Sequence, residues 1–319
     1  MEVLGVDLGG TKLAAAVFSG KGEMLFSESV PLESRSGNEA GRFITGRIEE
    51  YMESARGKGL NIKSIGISVP GISRSAAGTV WAPNIKGWDD YPLLGEIKKT
   101  VGDIPVIIDS DRACSILGEV WMGNAIGCKD AVFLAVGTGI GAGILSSGMV
   151  LRGGEDIAGA IGWMALERPF MDKYKNFGCF EYHASGDGIA RVARELLEKG
   201  DGGSGILAKT DPEKLTAKHV FSAFEKGDKL AEEVISICIG FWGMAVANLV
   251  SLLNPQKIIL GGGVFGPAAA FIPEIRKEAE LWAQPLSIKS VEIEVSGLGG
   301  MAALYGAGYL ALRNSEEGK

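Results

Sequence analysis

The amino-acid sequence predicts an α/β protein that consists of two related domains. Three observations lead to this prediction. The chain has 319 residues, 46% of them hydrophobic and 22% charged, which is enough for a large core divided between two domains. Its 48 glycines cluster directly after apolar runs, where they favour tight turns. An apolar strand, a Gly-containing turn and a second apolar strand occur in this order in both halves of the chain.

The first half begins with a predicted strand meander. Apolar runs at 3–6, 13–18 and 24–30 are separated by Gly9-Gly10 and by residues 20–22, a spacing typical of strands joined by tight turns. Helical and strand patterns then predict three further elements, namely a helix over 43–55 and strands over 65–69 and 104–108. This half therefore resembles a βββα unit with additional strands.

The second half repeats the strand, turn and strand pattern at 131–136, Gly137-Thr138-Gly139 and 140–145. The elements predicted after it are helices over 188–199, 216–226 with Thr216 as the N-cap, and 234–253, a strand over 257–260 and a last helix over 301–313. We place the N-terminal domain at 1–115, joined by the C-terminal helix at 301–319, and the C-terminal domain at 116–300. The sequence therefore predicts duplicated βββαβα units.

The segment 234–253 contains no charged residue and is long enough to span a bilayer. Its interior holds polar residues such as Ser236 and Asn248, and basic residues do not flank it in the pattern of cytoplasmic loops. We therefore expect a helix buried inside a large protein and no membrane association.

Composition narrows the class of partner and the compartment. The net charge of −7 and the pI near 5.2 argue against a nucleic-acid surface, which needs a concentrated Lys/Arg face. The four cysteines, Cys114, Cys128, Cys179 and Cys238, form no CxxC pair, and the N-terminus lacks the pattern of a secretion signal. Both features predict a reduced, cytoplasmic protein.

The first candidate phosphate site is the stretch from Val3 to Lys12. A strand delivers Asp7 to its end, and Gly9, Gly10 and Thr11 follow, so that backbone N–H groups can approach an anion closely. Asp7 is then a candidate to hold Mg²⁺ through water. The alternative from the same residues is an ordinary hairpin with a solvated aspartate.

The second candidate is the turn Gly137-Thr138-Gly139, because two amide-lined turns can clamp a triphosphate where one turn only touches it. The stretch is not a Walker loop, since no GKS or GKT follows. It is not a Rossmann fingerprint either, because the residues after it read as a strand and not as a helix.

Asp111 is the candidate for proton handling. It lies just beyond a buried strand, at the start of a helix that runs to about Met122, where we expect the helix dipole to keep its carboxylate ionised. A carboxylate there can orient an alcohol and accept its proton during phosphoryl transfer. The alternatives are that Asp111, or equally Asp109, is only the helix cap.

His183 and His219 have no ligand-spaced partners. We expect His219 to lie in the middle of a helix on a solvated face, and we interpret His183 as a satisfied structural histidine, with a pocket lined by Cys179, Glu181 and His183 as the alternative.

Together these motifs resemble the ROK family (repressors, open reading frames and sugar kinases) along nearly the whole chain. The motifs that carry the resemblance are Asp7-Leu8-Gly9-Gly10-Thr11-Lys12, Ser68-Val69-Pro70-Gly71, Ala82-Pro83-Asn84 with Trp88, Asp109-Ser110-Asp111 with Leu117-Gly118-Glu119, Gly137-Thr138-Gly139-Ile140-Gly141, and Asn254-Pro255 before Gly261-Gly262-Gly263.

The resemblance implies an actin-like, ribonuclease H-like ATPase fold and an ATP- and Mg²⁺-dependent sugar kinase that forms dimers. It implies that Asp111 is the general base and that the two Gly turns, with Lys12, hold the ATP phosphates. Gly262 and Gly263 would lie near the adenosine. The repressors of the family carry a DNA-binding helix-turn-helix before the first motif, which here begins at residue 3. The alternative function is therefore a non-catalytic sugar or nucleotide sensor that lacks a DNA-binding domain.

The chain departs from the family pattern mainly on the sugar side. Ser110 replaces an asparagine, Ala160 a sugar-binding glutamate, and Trp163 a zinc-binding histidine. In the family's cluster of zinc-binding cysteines, residues 172–179 retain only Cys179, so we expect no zinc site.

On the substrate side, Glu181 matches the family motif. The implied substrate-binding residues are Gly71, Asn84, Ser110, Trp163 and Glu181. Trp163 either presents a flat face to a ring substrate or fills the volume of the lost metal site.

Overall fold

The computed structural model describes residues 1–200 and 205–317, which form two compact units. Unit 1 comprises Met1–Gly127, Val150–Ala158 and Ser296–Lys319, and unit 2 comprises Cys128–Met149 and Gly159–Val295. The first of these segments extends beyond the predicted residue 115, which lies inside the helix Asp111–Met122, and this whole helix belongs to unit 1. Of the predicted C-terminal helix 301–319, Gly318 and Lys319 lie outside the described residues.

Unit 1 contains a five-stranded sheet with the order β3-β2-β1-β4-β7. β2 is antiparallel to β1 and β3, whereas β1, β4 and β7 are parallel. Its elements are β1 (Glu2–Leu8), β2 (Lys12–Ser19), β3 (Met24–Pro31), α1 (Gly37–Gly57), β4 (Ile62–Val69), β5 (Ile72–Arg74), β6 (Thr79–Trp81), α2 (Leu93–Val101), β7 (Val106–Ser110), α3 (Asp111–Met122) and, from the end of the chain, α10 (Ala302–Glu317).

Unit 2 contains a second five-stranded sheet with the order β10-β9-β8-β11-β12. β8 is antiparallel to β9 and parallel to β11, which is parallel to β12. The elements of this part of the chain are β8 (Ala131–Val136), β9 (Ile140–Ser146), β10 (Met149–Val150), α4 (Cys179–Ala184), α5 (Gly186–Glu198), α6 (Ala217–Phe224), α7 (Lys229–Leu253), β11 (Lys257–Gly261), α8 (Ile272–Trp282), α9 (Ser287–Ser290) and β12 (Glu292–Val295).

The two sheets have the same strand order when β1, β2, β3, β4 and β7 are matched to β8, β9, β10, β11 and β12. In each sheet the central strand pairs with an antiparallel neighbour on one side and a parallel neighbour on the other. The predicted α/β class with duplicated strand units is confirmed. Because parallel strands end at the same edge of a sheet, each unit gathers its strand-end turns at one edge.

Glycines bring α10 close to its neighbours in unit 1. A Cβ atom added at Gly306 would lie 1.7 Å from the carbonyl oxygen of Cys114 on α3, and one at Gly66 of β4 would lie 2.0 Å from that of Ala307. Any larger residue would push these backbones apart. This packing anchors α3, whose first residue is Asp111.

The long apolar helix α7 lies largely in the core of unit 2. Cys238 and Trp242 are fully buried, and the indole N–H of Trp242 donates to the carbonyl oxygen of Ala184 at 3.0 Å. Within the described residues, α7 is also the helix whose length and composition would allow it to cross a membrane. In its most apolar window 61% of the residues are buried, as in the core helix predicted from the sequence.

Helix α6 begins after Thr216, the predicted N-cap. His219 lies in the first turn of this helix, and the prediction that it occupies the middle of the helix is wrong. Its Nδ1 atom is 3.2 Å from the backbone nitrogen of Thr216, which donates to it. His219 therefore has a structural role at a helix start, on an exposed face.

Candidate active site

In unit 1, polar side chains lie in register at the ends of three parallel strands. Asp7 of β1 is paired in register with Ser68 of β4, which is paired with Asp109 of β7. The hydroxyl of Ser68 donates to Oδ1 of Asp7 at 2.7 Å. Ser68 is buried, and its role in orienting Asp7 was not recognised from the sequence, where it appeared only as a motif member. The register of the strands, which is not readable from spacing, produces this contact.

The turn after β1 is held by its own backbone. The N–H of Gly9 donates to the carbonyl oxygen of Lys12 at 2.9 Å. Gly10 packs on Asn84, because a Cβ added at Gly10 would lie 3.3 Å from the Cβ of Asn84. Thr11 and Lys12 are exposed. The structure thus brings together the first Gly turn and Asn84, and Gly10 at its tip is exposed as well.

Burial raises the pKa of Asp7, while the hydrogen bond from Ser68 and the nearby ammonium group of Lys12 oppose this rise. Carboxylate oxygens are the ligands that Mg²⁺ prefers, and Asp7 lies close enough to Asp111 for its charge to raise the pKa of that second carboxyl. Two neighbouring carboxylates fit the Mg²⁺ role predicted for Asp7, against which the positive charge of Lys12 acts.

The start of α3 is capped by neither candidate aspartate. Ser110 is the N-cap, and its hydroxyl oxygen accepts from the backbone N–H of Ala113 at 3.3 Å. The alternative that Asp109 or Asp111 caps the helix is wrong, because their carboxylates accept from the next residue instead. Asp109 Oδ1 accepts from the N–H of Ser110 and Asp111 Oδ1 from that of Arg112, both at 2.8 Å. The second oxygen of Asp111 is left for other partners.

The pKa of Asp111 is raised to about 6. Burial is the largest cause, and the negative charge of Asp7 adds to it, while the charge of Arg112 lowers the pKa. We expected the helix dipole to keep this carboxylate ionised, but desolvation raises its pKa above the ordinary value. At pH 7 the carboxylate is still mostly ionised, and a pKa close to the working pH favours proton transfer.

Two arginines fix the surroundings of these aspartates. The guanidinium group of Arg152 lies 2.7 Å from Oδ2 of Asp109. Asp109 is 3% exposed, and burial raises the pKa of its carboxyl although the charge of Arg152 lowers it. Arg112 Nη2 donates to the carbonyl oxygen of Gly71 at 3.2 Å. Gly71 has a φ of +89° and could not carry a Cβ, which would lie 2.2 Å from the oxygen of Trp81. Arg152 stands in no motif, and no sequence signal identified it.

In unit 2, the predicted turn Gly137-Thr138-Gly139 joins β8 to β9. The N–H of Gly137 donates to the oxygen of Gly139 at 2.9 Å, and the oxygen of Gly137 accepts from the N–H of Gly186 at 2.7 Å, at the start of α5. Oε2 of Glu181 accepts from the N–H of Ile140 at 2.7 Å, and burial raises the pKa of this carboxyl. Glu181 thus lies against the turn.

Gly262 follows β11 and lies beside the same turn. Its φ is +87°, and a Cβ added to it would lie 2.4 Å from the carbonyl oxygen of Val136, the last residue of β8. An added Cβ at Gly263 would meet no atom within 4 Å. The structure therefore brings the predicted ATP-binding glycines of unit 2 together at the ends of two neighbouring parallel strands.

Trp163 ends a short 3₁₀ turn over Ile161–Trp163 and is 58% exposed. It does not fill a core volume, so that alternative for Trp163 is wrong. Tyr174 is the aromatic residue that is buried in this loop, with 3% exposure. Ala160, at the start of the turn, offers no polar side chain. This part of unit 2 thus presents an exposed indole ring at Trp163 and a buried phenol at Tyr174.

Comparison with known proteins identifies the family of this chain. The model of the ROK family matches residues 3–314. The chain belongs to the ROK family. It is 33% identical over 314 residues to a glucokinase from Halalkalibacterium halodurans, which covers 96% of this chain and 94% of the relative.

Solved structures of ROK proteins show the same fold. The ROK hexokinase from Thermus thermophilus has a TM-score of 0.82 and 29% identity and covers 99% of this chain and 100% of its own. A ROK family glucokinase from Streptomyces griseus, in complex with glucose and AMPPNP, has a TM-score of 0.77 and 28% identity, with 98% and 100% covered. The fold is therefore the actin-like fold of the ROK kinases, as the sequence resemblance implied.

The loop that carries the ROK zinc motif has other contacts in this chain. Tyr174 stands where the motif has a cysteine, and its hydroxyl bonds to Glu167 and lies 3.0 Å from Nε2 of His183. His183 also lies 3.0 Å from Glu167 and stacks on Phe241, so it is a satisfied structural histidine, as predicted.

Glu167, Cys179 and His183 nevertheless present three donor atoms within 4.8 Å of one another. Only Cys179 among them belongs to the zinc motif. Three donors do not close a structural zinc site, which usually has four protein ligands. Within the described residues this group is the candidate for a metal ion in unit 2.

Proposed function

We propose that this ATP-dependent carbohydrate kinase phosphorylates a hydroxyl group of a sugar or sugar-like polyol with Asp111 as the general base. The observation that carries the proposal is the state of Asp111, which starts α3 with one oxygen held by a backbone N–H and a pKa of about 6. A fixed carboxylate that is ionised at pH 7 but readily protonated suits proton transfer from an alcohol.

In the proposed reaction, the carboxylate of Asp111 accepts the proton of the acceptor hydroxyl while its oxygen attacks the γ-phosphorus of ATP. The bond from this phosphorus to the β–γ bridging oxygen breaks, and ADP leaves with that oxygen. The products are a sugar phosphate, ADP and the proton carried by Asp111. Catalysis of this kind rests mainly on positioning and on stabilising the charge of the phosphoryl oxygens.

The phosphates of ATP are bound by backbone N–H groups of Gly9, Gly10 and Thr11 with Lys12, and by the turn Gly137-Thr138-Gly139, while Gly262 and Gly263 lie beside the adenosine. Asp7 would hold Mg²⁺ through water, and the hydrogen bond from Ser68 fixes the orientation of its carboxylate. When bound, Mg²⁺ supplies positive charge that neutralises the phosphate oxygens.

The acceptor is bound by Gly71, Asn84, Ser110, Trp163 and Glu181. The hydroxyl oxygen of Ser110 is engaged in capping α3, so it retains mainly its donor function toward a sugar. The glucose complex of the Streptomyces griseus relative supports a hexose-type acceptor.

The remaining proposals concern the setting of the enzyme. The net charge of −7 supports a small-molecule partner and not a nucleic acid, and the free cysteines support a cytoplasmic location. Burial of α7 supports the absence of a membrane anchor. Activity without zinc is proposed from the loss of three of the four motif ligands, and a homodimer from the family resemblance.

The test is the Asp111→Asn variant, because an amide cannot accept the proton. We expect kcat to fall by about 10²–10⁴-fold with little change in KM for ATP, measured as ADP release across a panel of hexoses, amino sugars and cyclitols. Asp103→Asn is the control, since Asp103 is an exposed aspartate of the same unit. Full turnover by Asp111→Asn would refute the role of Asp111, and wild-type silence across the panel would favour the non-catalytic sensor.

A further inference from the structure

The helix α4 carries Glu181, the carboxylate that we propose to bind the acceptor, yet this helix has only six residues. A helix this short is not stable by itself in water. The position of α4 must therefore come from the side chains that hold it to the rest of unit 2.

One anchor of α4 is a triangle of polar groups at His183. Nε2 of His183 lies 3.0 Å from the hydroxyl oxygen of Tyr174 and 3.0 Å from Oε2 of Glu167, and the hydroxyl of Tyr174 donates to the same Oε2. The imidazole ring also stacks on Phe241 of α7, with centroids 4.4 Å apart. Because Tyr174 is 3% exposed and His183 is 7% exposed, water competes little for these hydrogen bonds.

A second anchor of α4 lies at Tyr182. The hydroxyl of Tyr182 donates to Glu195 on α5, and Nη1 of Arg191, also on α5, donates to the carbonyl oxygen of Tyr182 at 3.1 Å. The ammonium group of Lys173 lies 3.0 Å from Glu195 and 4.5 Å from the centre of the Tyr182 ring. Lys173 precedes Tyr174 in the loop before α4, so this anchor joins the loop, α4 and α5.

Glu181 contacts a different part of unit 2 from these anchors. Oε2 of Glu181 accepts from the N–H of Ile140 on β9 at 2.7 Å, and a Cβ added at Gly139 would lie 2.7 Å from the same oxygen. Neighbouring residues of a helix are about 100° apart around its axis, so the residues that follow Glu181 are free to bind other elements. The anchors at Tyr182 and His183 therefore determine where the carboxylate of Glu181 lies.

Glu167 and His183 also belong, with Cys179, to the candidate metal group. In a tetrahedral zinc site with bonds of about 2.0–2.1 Å, nitrogen and oxygen ligands lie roughly 3.3 Å apart. The contacts of His183 Nε2 with Glu167 and with Tyr174 are both 3.0 Å, which is a hydrogen-bond distance. A proton between these atoms fits their spacing, and the phenol of Tyr174 supplies one at neutral pH.

We propose that Tyr174, together with Glu167 and His183, is a positioning residue for the acceptor site, because this triangle holds α4 and its Glu181 by hydrogen bonds and not through a metal ion. The inference rests on the proposed function in one respect, namely that Glu181 binds the acceptor. The position of α4 itself can be measured without turnover.

Tyr174→Phe removes the hydroxyl and keeps the ring, so it tests the hydrogen bonds alone. We expect KM for the acceptor sugar to rise about fivefold, which corresponds to one hydrogen bond, while kcat and KM for ATP change by less than about twofold. Tyr91→Phe is the matched control, because Tyr91 is 5% exposed and its hydroxyl donates to Glu96 in unit 1. It should lower the melting temperature by a similar amount and leave KM for the acceptor unchanged.

A double-mutant cycle shows whether Tyr174 acts through Glu181. In the Glu181→Gln background, adding Tyr174→Phe should change KM for the acceptor by less than about twofold, because the carboxylate that Tyr174 positions is gone. The positioning role is refuted by a full fivefold increase in that background, or by an unchanged KM in Tyr174→Phe alone.

Hydrogen exchange of the α4 amides tests the anchor even if no sugar is phosphorylated, an outcome that would refute the kinase proposal separately. Residues 180–184 should exchange faster in Tyr174→Phe than in the wild type, and at the wild-type rate in Tyr91→Phe. Equal exchange in Tyr174→Phe and the wild type would refute the anchor.

Metal analysis of the purified wild type separates the two ways of holding α4. Slow exchange of α4 that a chelator leaves unchanged supports the hydrogen-bonded triangle. One zinc or other metal ion per chain, whose removal by the chelator speeds exchange in α4, would overturn it.

Discussion

The two sheets of this protein share one topology, yet their strand ends carry different chemistry. In unit 1, the ends of β1 and β7 present the carboxylates of Asp7 and Asp109, and Asp111 is the first residue after β7. In unit 2, the ends of β8 and β11 lead into Gly137 and Gly262, which expose backbone. The duplicated framework therefore offers acids for proton and metal chemistry in one copy and amides for anion binding in the other.

This difference determines which substitution tests each unit most sharply. A carboxylate acts through its charge, so an isosteric amide is the sharpest change in unit 1. A backbone turn acts through close approach, so a single added methyl group is the sharpest change in unit 2. The following predictions use this contrast, beginning with the largest effect.

Gly262→Ala should be the most damaging change in unit 2. The new Cβ would sit in a left-handed conformation, 2.4 Å from the oxygen of Val136, so the backbone must shift. Strain of about 2–3 kcal/mol in the turn that we propose to bind ATP should lower kcat/KM for ATP by about 100-fold. Steady-state kinetics with ATP as the varied substrate measures this loss.

Gly263→Ala is the matched control, because its Cβ meets open space. This variant should keep the thermal stability of the wild type, and any effect it has should be confined to KM for ATP. Equal melting temperatures for Gly262→Ala and the wild type would contradict the close packing described at Gly262.

The pH profile tests the acids of unit 1. Because the pKa of Asp111 is raised to about 6, kcat/KM for the sugar should fall about tenfold per pH unit below pH 6, as the base becomes protonated. Measurement from pH 4.5 to 8.5 locates the inflection. An inflection near pH 4 would mean that Asp111 is not desolvated as described.

Asp7 also has a raised pKa, and its protonation would weaken Mg²⁺ binding. The two acids can be separated by repeating the profile at several Mg²⁺ concentrations. An inflection that moves to lower pH as Mg²⁺ increases belongs to Asp7, whereas one that stays in place belongs to Asp111.

Most of the framework was predictable from sequence because apolar periodicity and Gly turns report directly on strands and their ends. The strands around Asp7 and around the Gly137 turn were predicted correctly to within a few residues. The orienting roles of Ser68 and Arg152 were not predictable, because they depend on strand register and on contacts between distant segments. The raised pKa of Asp111 depends on burial, which position at a helix start does not reveal.

The charge on Asp111 that the proposed role as a base requires should lower the stability of the folded protein. Its pKa rises from 3.8 toward 6 on folding, so the ionised form is disfavoured in the folded state and the protein loses stability as pH rises from about 4 to 6. Asp111→Asn removes this cost and should stabilise the protein by about 1–2 kcal/mol at pH 7.5, an amount reduced by solvent screening. Denaturant unfolding at pH 7.5 and pH 4 measures it, and the difference should vanish at pH 4.

The smallest predicted effect concerns the link between β1 and β4. Ser68→Ala removes one hydrogen bond to the carboxylate of Asp7 without changing the charge of the site. The net value of such a bond, about 1 kcal/mol, corresponds to roughly a fivefold fall in kcat/KM at low Mg²⁺. Because the lost bond leaves Asp7 with less support for its ionised form, its pKa should rise and the Mg²⁺-dependent inflection should move to higher pH.

Ser64→Ala is the control, since Ser64 is a buried serine of the same strand that donates to the carbonyl oxygen of Pro105 and not to Asp7. Equal Mg²⁺ dependence in the two variants would show that Asp7 is oriented by its strand alone.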